Sequence, residues 1–163
     1  MRSVLSTIAL LATACTMPVA APPAPLVAFN PAEVTWAQGS GTATIEGQAF
    51  MKTRGGDVKY GAGNQVVLLP YSAQSFNWYT QRLATRGEDV SPMDPALTAL
   101  TRTTTAGGDG RFKFENLPAG SYLVVTSVTW EAPTSYGMSM QGGYIGAPAT
   151  AEAGKTTSVI ITG

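Results

Sequence analysis

The stretch "GRFKFENLPAGSYLVV", residues 110–125, decides the fold. Side chains alternate along a strand, so Phe112 and Phe114 share one face while Arg111, Lys113 and Glu115 take the other. The aromatic pair is expected inward. The preceding "AGGDG" supplies a tight turn ending at Gly110; in "NLPAG", Pro118 presets φ and Gly120 permits the positive φ needed for re-entry into the next strand. Leu117 is expected to plug the end of the core, and Tyr122, Val124, Thr126, Val128 and Trp130 share one face of the strand that follows. Burying each such Phe, Tyr or Val is worth roughly 1.5–3 kcal/mol. Gly110, Phe112, Phe114, Leu117, Pro118, Gly120 and Tyr122 therefore read as a structural corner rather than as a site.

Outward from this corner, the chain is punctuated in the same way from Thr42 onward. "TATIEGQAFM", "QVVLLPY", "RFKFE", "SYLVVTSVTW" and "TTSVIIT" have strand length and composition, and "RGGDVKYGAGN", "AGGDG", "NLPAG" and "QGG" have turn chemistry. Short strands without strand–helix alternation predict an all-β antiparallel sandwich. One interval departs from this: in "SFNWYTQRLATRGED", Phe76, Tyr79 and Leu83 fall at helical spacing, with Ser75 as N-cap and Gly87 as stop, which predicts a short helical insertion near 75–86. "VVLL" is apolar on both faces, and this helix is the nearest element to cover its outer one.

Composition bounds the function. A chain of 163 residues, 44% hydrophobic and 12% charged, makes one globular domain with a tail or two. Ten basic and ten acidic side chains leave no positive excess for phosphates, which argues against a nucleic-acid partner. The sequence has no His, and Cys15 is its one cysteine, so the commonest general base is absent and no Cys/His cluster exists for zinc. No catalytic residue, metal site or cofactor is expected.

The N-terminus, "MRSVLSTIALLATACTMP", runs from Arg2 through an apolar stretch, Val4–Leu11, to small residues before Cys15. That order is a secretory signal peptide over 1–14, too short to span a bilayer as a helix. "LATAC" resembles the lipobox of bacterial lipoproteins, with Ala12 where the pattern usually has Leu. "ATA" also satisfies the small-x-small site of ordinary signal peptidase, which would leave an unpaired thiol near the new N-terminus. The lipoprotein resemblance implies a lipid on Cys15 as a membrane anchor and, with Thr16 rather than Asp after it, an outer-membrane location on the periplasmic or cell-surface face. Residues 15–40, rich in Pro and Ala at first, read as a semi-extended linker, and 41–163 as the domain.

"TTTAGGDGRFKFENLPAGSYLVV" is similar to the pattern of carboxypeptidase regulatory-like domains, also called transthyretin-like or prealbumin-like, and "IEGQAFM" and "GAGNQVVLLPY" look like that family's first two strands. The resemblance covers about residues 42–130 well, with "AEAGKTTSVIITG" matching a closing strand, and the 72–96 segment looks like an insertion. It implies a seven-stranded Greek-key β-sandwich and a non-catalytic module.

The carboxylates have structural readings. Asp109 suits an Asx-type bond to turn backbone, and Glu88, Asp89 and Asp94 lack the alternating ligand spacing of a calcium loop. Candidate binding residues are the aromatics and methionines outside the clear strands: Trp78 and Tyr79 in the insertion, and Trp130, Tyr136, Met138, Met140 and Tyr144 around a long flexible connection at 131–144. The alternative for Trp78, Tyr79 and Trp130 is that they simply cover the sandwich. The expected function is a membrane-anchored, non-catalytic cell-envelope module binding an envelope protein or assembly. A carbohydrate or peptidoglycan ligand stacked on Trp or Tyr is the second reading. A hydrolase built on Asp or Glu pairs is the third.

Overall fold

The computed structural model describes residues 22–87 and 90–163, so Cys15, Glu88 and Asp89 lie outside the described residues. Its elements are β1 (Ala43–Lys52), β2 (Val58–Tyr60), β3 (Gln65–Pro70), α1 (Ala73–Ala84), α2 (Pro95–Thr98), β4 (Arg102–Thr105), β5 (Arg111–Leu117), β6 (Gly120–Thr134), β7 (Gly137–Ala151) and β8 (Thr156–Thr162). The strands form two four-stranded sheets. In the first, β1 is central, antiparallel to β5 and β2 on one side and parallel to β8 on the other. The second has the order β4-β3-β6-β7, antiparallel throughout. Ile45, Phe112, Phe114 and Ile161 of the first sheet meet Val66, Leu68, Tyr122 and Val124 of the second in one buried core.

The β-sandwich with a short helix matches the sequence expectation at that level, with two corrections. Eight strands are present rather than seven, and the β1–β8 pair is parallel, so the sandwich is not wholly antiparallel. The stretch read as a flexible connection is strand: β6 and β7 pair along their whole length, from Gly120↔Ala151 to Thr134↔Gly137. Gly137, Gly142, Gly143, Gly146 and Pro148 give β7 a composition that β-propensity disfavours, and pairing with β6 overrides it.

Phe112, Phe114 and Leu117 are all buried although Leu117 breaks the two-residue period. A bulge reconciles them. The register against β1 shifts between Ile45↔Phe114 and Ala43↔Leu117, and Asn116 takes a left-handed φ of 56° there. Gly110, at φ 77°, closes the turn as its sequence predicts. Gly120 is needed for a different reason than the turn: a Cβ there would lie 2.2 Å from the Trp36 ring, which caps this end of the core edge-on to Tyr122 at 5.0 Å.

Tyr122 donates from its hydroxyl to the Pro118 carbonyl, 3.0 Å away, and locks the corner. Burial raises the pKa of Tyr122 above its ordinary 10.0, the Arg102 charge opposing weakly, and burial likewise raises Tyr79. A phenol whose folded pKa is raised holds its proton in the fold after the unfolded chain has lost it. Stability is therefore intact below pH 10 and declines as pH climbs through the raised values. The melting temperature should fall more steeply between pH 9.5 and 11 for the native chain than for Tyr122→Phe, and equal slopes would contradict this assignment.

On the outer face of the second sheet, Val67, Leu69, Leu123 and Val125 are covered by α1 through Trp78 and Tyr79, as the two-sided apolar run predicts. The helix begins earlier than its periodicity suggested. Ser72, not Ser75, is the N-cap, in a reciprocal pair where the Ser75 N–H donates to Ser72 Oγ and the Ser72 N–H donates to Ser75 Oγ. The buried stripe is accordingly Gln74, Ser75 and Trp78, and Phe76 and Leu83 face solvent.

The later part of the segment read as linker is packed. Gln74 Nε2 donates to the Val27 carbonyl at 2.9 Å, the Val27 N–H donates to Asn77 Oδ1 at 3.1 Å, and the 3-10 turn Pro31–Ala37 buries Val34 and Ala37 against Leu97.

Candidate functional site

The register of the second sheet lines up one row on its outer face: Thr103, Val67, Val125 and Gly146 on β4, β3, β6 and β7. Tyr79 of α1 lies over Gly146, its hydroxyl donating to that carbonyl at 3.3 Å. Two residues further along β6 and β7 from this row, and therefore on the same face, Ser127 pairs with Tyr144. The C-terminal turn of α1 passes over this end and leaves a cavity of about 340 Å3 beneath it. The cavity is lined by Trp78, Arg82 and Tyr144, by the polar Gln65, Thr101, Thr103 and Ser127, and by Val67 and Val125 of the sheet.

Arg82 organises the site. Its guanidinium lies 4.6 Å from the Trp78 ring centroid and 5.0 Å from that of Tyr144, and Nη1 donates to Tyr144 Oη at 2.8 Å. Each contact is worth about 0.5–2 kcal/mol, and together they fix a long side chain that would otherwise be mobile. Arg82 Nε is buried without an acceptor among the described residues. Gly87, at φ 89°, ends the helix and leaves room for the Tyr144 ring, which a Cβ would approach to 2.1 Å.

The polar wall is unspent. The side chains of Gln65, Thr103 and Ser127 make no hydrogen bond to the described residues, while the Thr101 hydroxyl donates to the Thr98 carbonyl at 2.8 Å and keeps its acceptor lone pairs. Such a cavity offers a rigid cation, aromatic edges and several free hydroxyl and amide groups to one small ligand.

Of the sequence candidates, Trp78, Tyr79 and Tyr144 converge here; Trp130, Tyr136, Met138 and Met140 do not. Trp130 packs against the end of the core and lines a separate open groove of about 990 Å3 with Lys52, Arg54, Asp57 and Gln141. Those four polar side chains are of mixed sign, whereas the described residues lining the cavity around Arg82 carry a single charge. Tyr136, Met138 and Met140 are exposed at the tip of the β6–β7 ribbon, which from Thr126 outward pairs only within itself. Arg82, Gln65, Thr103 and Ser127 were not singled out by the sequence. A cation four residues after Trp78 on a helix was the one signal available.

Asp109 makes the Asx-type bond, its Oδ1 accepting from the Arg111 N–H at 3.1 Å, and Asp94 caps α2, accepting from the Ala96 N–H at 2.8 Å. Neither carboxylate faces the cavity.

No family model and no curated protein matches the chain. Among solved structures, it is similar to the crystal structure of a Pseudomonas aeruginosa protein named as a "putative carbohydrate binding protein": 26% identity and a TM-score of 0.75, covering 85% of this chain and 100% of that chain.

Proposed function

We propose that this domain is a non-catalytic carbohydrate-binding module that seats a sugar in the cavity under the C-terminal turn of α1. The observation that carries this reading is the lining itself: free Gln65, Thr103 and Ser127 side chains facing a Trp78–Arg82–Tyr144 stack. Sugars are polyhydroxylated and need many donors and acceptors at close spacing with some flat apolar surface, and the cavity supplies both. The likeness to a protein named for carbohydrate binding supports the same reading. Thr103→Val with Ser127→Ala should weaken binding of soluble oligosaccharides or peptidoglycan fragments about tenfold by calorimetry, since each hydroxyl bond contributes about 0.5–1.5 kcal/mol. Unchanged affinity for a bound glycan would place the sugar elsewhere.

In this proposal the module is a prealbumin-like sandwich tethered by lipid on Cys15 to the outer membrane, which the lipobox resemblance supports. Cys15→Ser should move the protein from the membrane fraction to the soluble one; retention in the membrane would defeat the anchor. A second reading, a protein-interaction or structural module in the envelope, is favoured by one observation. The self-paired ribbon presents Tyr136, Met138 and Met140 to solvent, and side chains of this kind make adaptable contacts.

A further inference from the structure

Resting on the carbohydrate reading, we infer that the sugar this cavity takes is an acidic one, a uronic acid or a glycan containing it, with its carboxylate on the Arg82 guanidinium. Among the described residues lining the cavity, Arg82 is the one charged group, and no Asp or Glu is among them. None of the ion pairs between described residues involves Arg82. Among the described residues a neutral sugar would leave this partly buried cation without a counter-charge, whereas a carboxylate supplies it.

Geometry adds selectivity to charge. The guanidinium is held 4.6 Å from the Trp78 and 5.0 Å from the Tyr144 ring centroid, and one bond, from Nη1 to Tyr144 Oη, is already made. The remaining N–H groups at the outer end form a planar fork that matches the two oxygens of a carboxylate. A single cation balances a single negative charge, which favours a carboxylate over a phosphate monoester carrying about −1.5 to −2. The remaining hydroxyls of such a sugar meet Gln65, Thr103 and Ser127, and a volume of about 340 Å3 is at the low end for small-ligand sites, suited to one or two rings rather than a long chain.

The test is a calorimetric comparison, on the domain with its packed N-terminal arm, of an oligouronate with the same oligosaccharide as its methyl ester, at low and high salt. The uronate should bind about tenfold to hundredfold more tightly than the ester, lose most of that advantage in high salt, and lose all of it in Arg82→Met. Arg82→Met keeps a flexible apolar side chain on Trp78; should it fail to fold, the comparison of acid with ester on the native chain decides alone. Equal binding of acid and ester, sensitive to Thr103→Val with Ser127→Ala, would overturn the acidic inference and leave the carbohydrate reading standing. Binding of neither would overturn both. Tighter binding of a sulfated or phosphorylated sugar than of the uronate would overturn the carboxylate assignment.

Discussion

Phe114→Ala is expected to lower the unfolding free energy by about 3–5 kcal/mol. Phe114 is buried on the first sheet's inner face, pairs with Ile45 of the central strand in the ladder, and its ring sits 6.1 Å from that of Phe112 at 60°. Truncation loses the transfer free energy of the ring and the edge-on aromatic contact, and it opens a cavity between two sheets that cannot collapse independently. Because a domain of this kind holds about 5–15 kcal/mol in total, such a loss should bring it close to unfolding at 37 °C. Urea denaturation read by fluorescence gives the number. Glu115→Ala on the solvent face of the same strand is the control, expected within about 0.5 kcal/mol of the native chain. A loss below 1 kcal/mol for Phe114→Ala would mean that the corner is not where the core's stability resides.

Tyr144→Ala is expected to weaken glycan binding by roughly 10–100-fold while leaving the domain folded. Tyr144 does two things at once: its ring covers one face of the Arg82 guanidinium, and its hydroxyl accepts the 2.8 Å bond that holds Nη1. Without it Arg82 regains its rotamers and ordering it on binding costs free energy. Tyr144→Phe keeps the ring and removes the bond, so its affinity should fall between the native and Ala values. The ring is only partly buried at the rim, so a stability loss of about 1–3 kcal/mol is the expected ceiling. Loss of binding equal in Tyr144→Phe and Tyr144→Ala would assign the whole effect to the hydroxyl.

Legibility in the sequence followed the strength of local signals. The corner at 110–122 was readable because three codes coincide there: alternation, a Gly–Pro–Gly turn chemistry and the run of strand formers, Tyr122–Val125, that it leads into. The bulge at Asn116 that brings Leu117 inward was not, since a left-handed Asn has no signature distinct from a turn Asn. The short strands β2 and β4, of three and four residues, have β-favouring Val, Tyr and Thr but are too short to stand out between turn residues, and pairing with β1 and β3 defines them. For α1, of the expected stripe Phe76, Tyr79 and Leu83, only Tyr79 packs on the sheet. Hydropathy favours Phe over Gln and Ser, whereas the Ser72–Ser75 cap and the contact of Gln74 with the N-terminal arm set the rotation.

The site was half legible. Trp78 and Tyr144 attract notice as large aromatics, yet they lie 66 residues apart and only the sheet register places Tyr144 beside Ser127 and under the same helix. Arg82 reads in sequence as an ordinary exposed helical cation. What distinguishes it is tertiary: two aromatic rings within 5.0 Å of its guanidinium and a buried Nε without an acceptor among the described residues. Conversely, Tyr136, Met138 and Met140 carry the composition of a binding surface but stand at the ribbon tip, apart from the cavity.

The most direct test of the carbohydrate site is an NMR titration of the labelled domain with a soluble acidic oligosaccharide. Resonances of the Arg82 guanidinium, the Trp78 indole, and the Thr103 and Ser127 amides report the cavity, and the Met138 and Met140 methyls report the ribbon. The account predicts saturable shifts in the first set with the methyl signals unmoved. Shifts confined to Met138, Met140 and Trp130, with Arg82 silent, would contradict it.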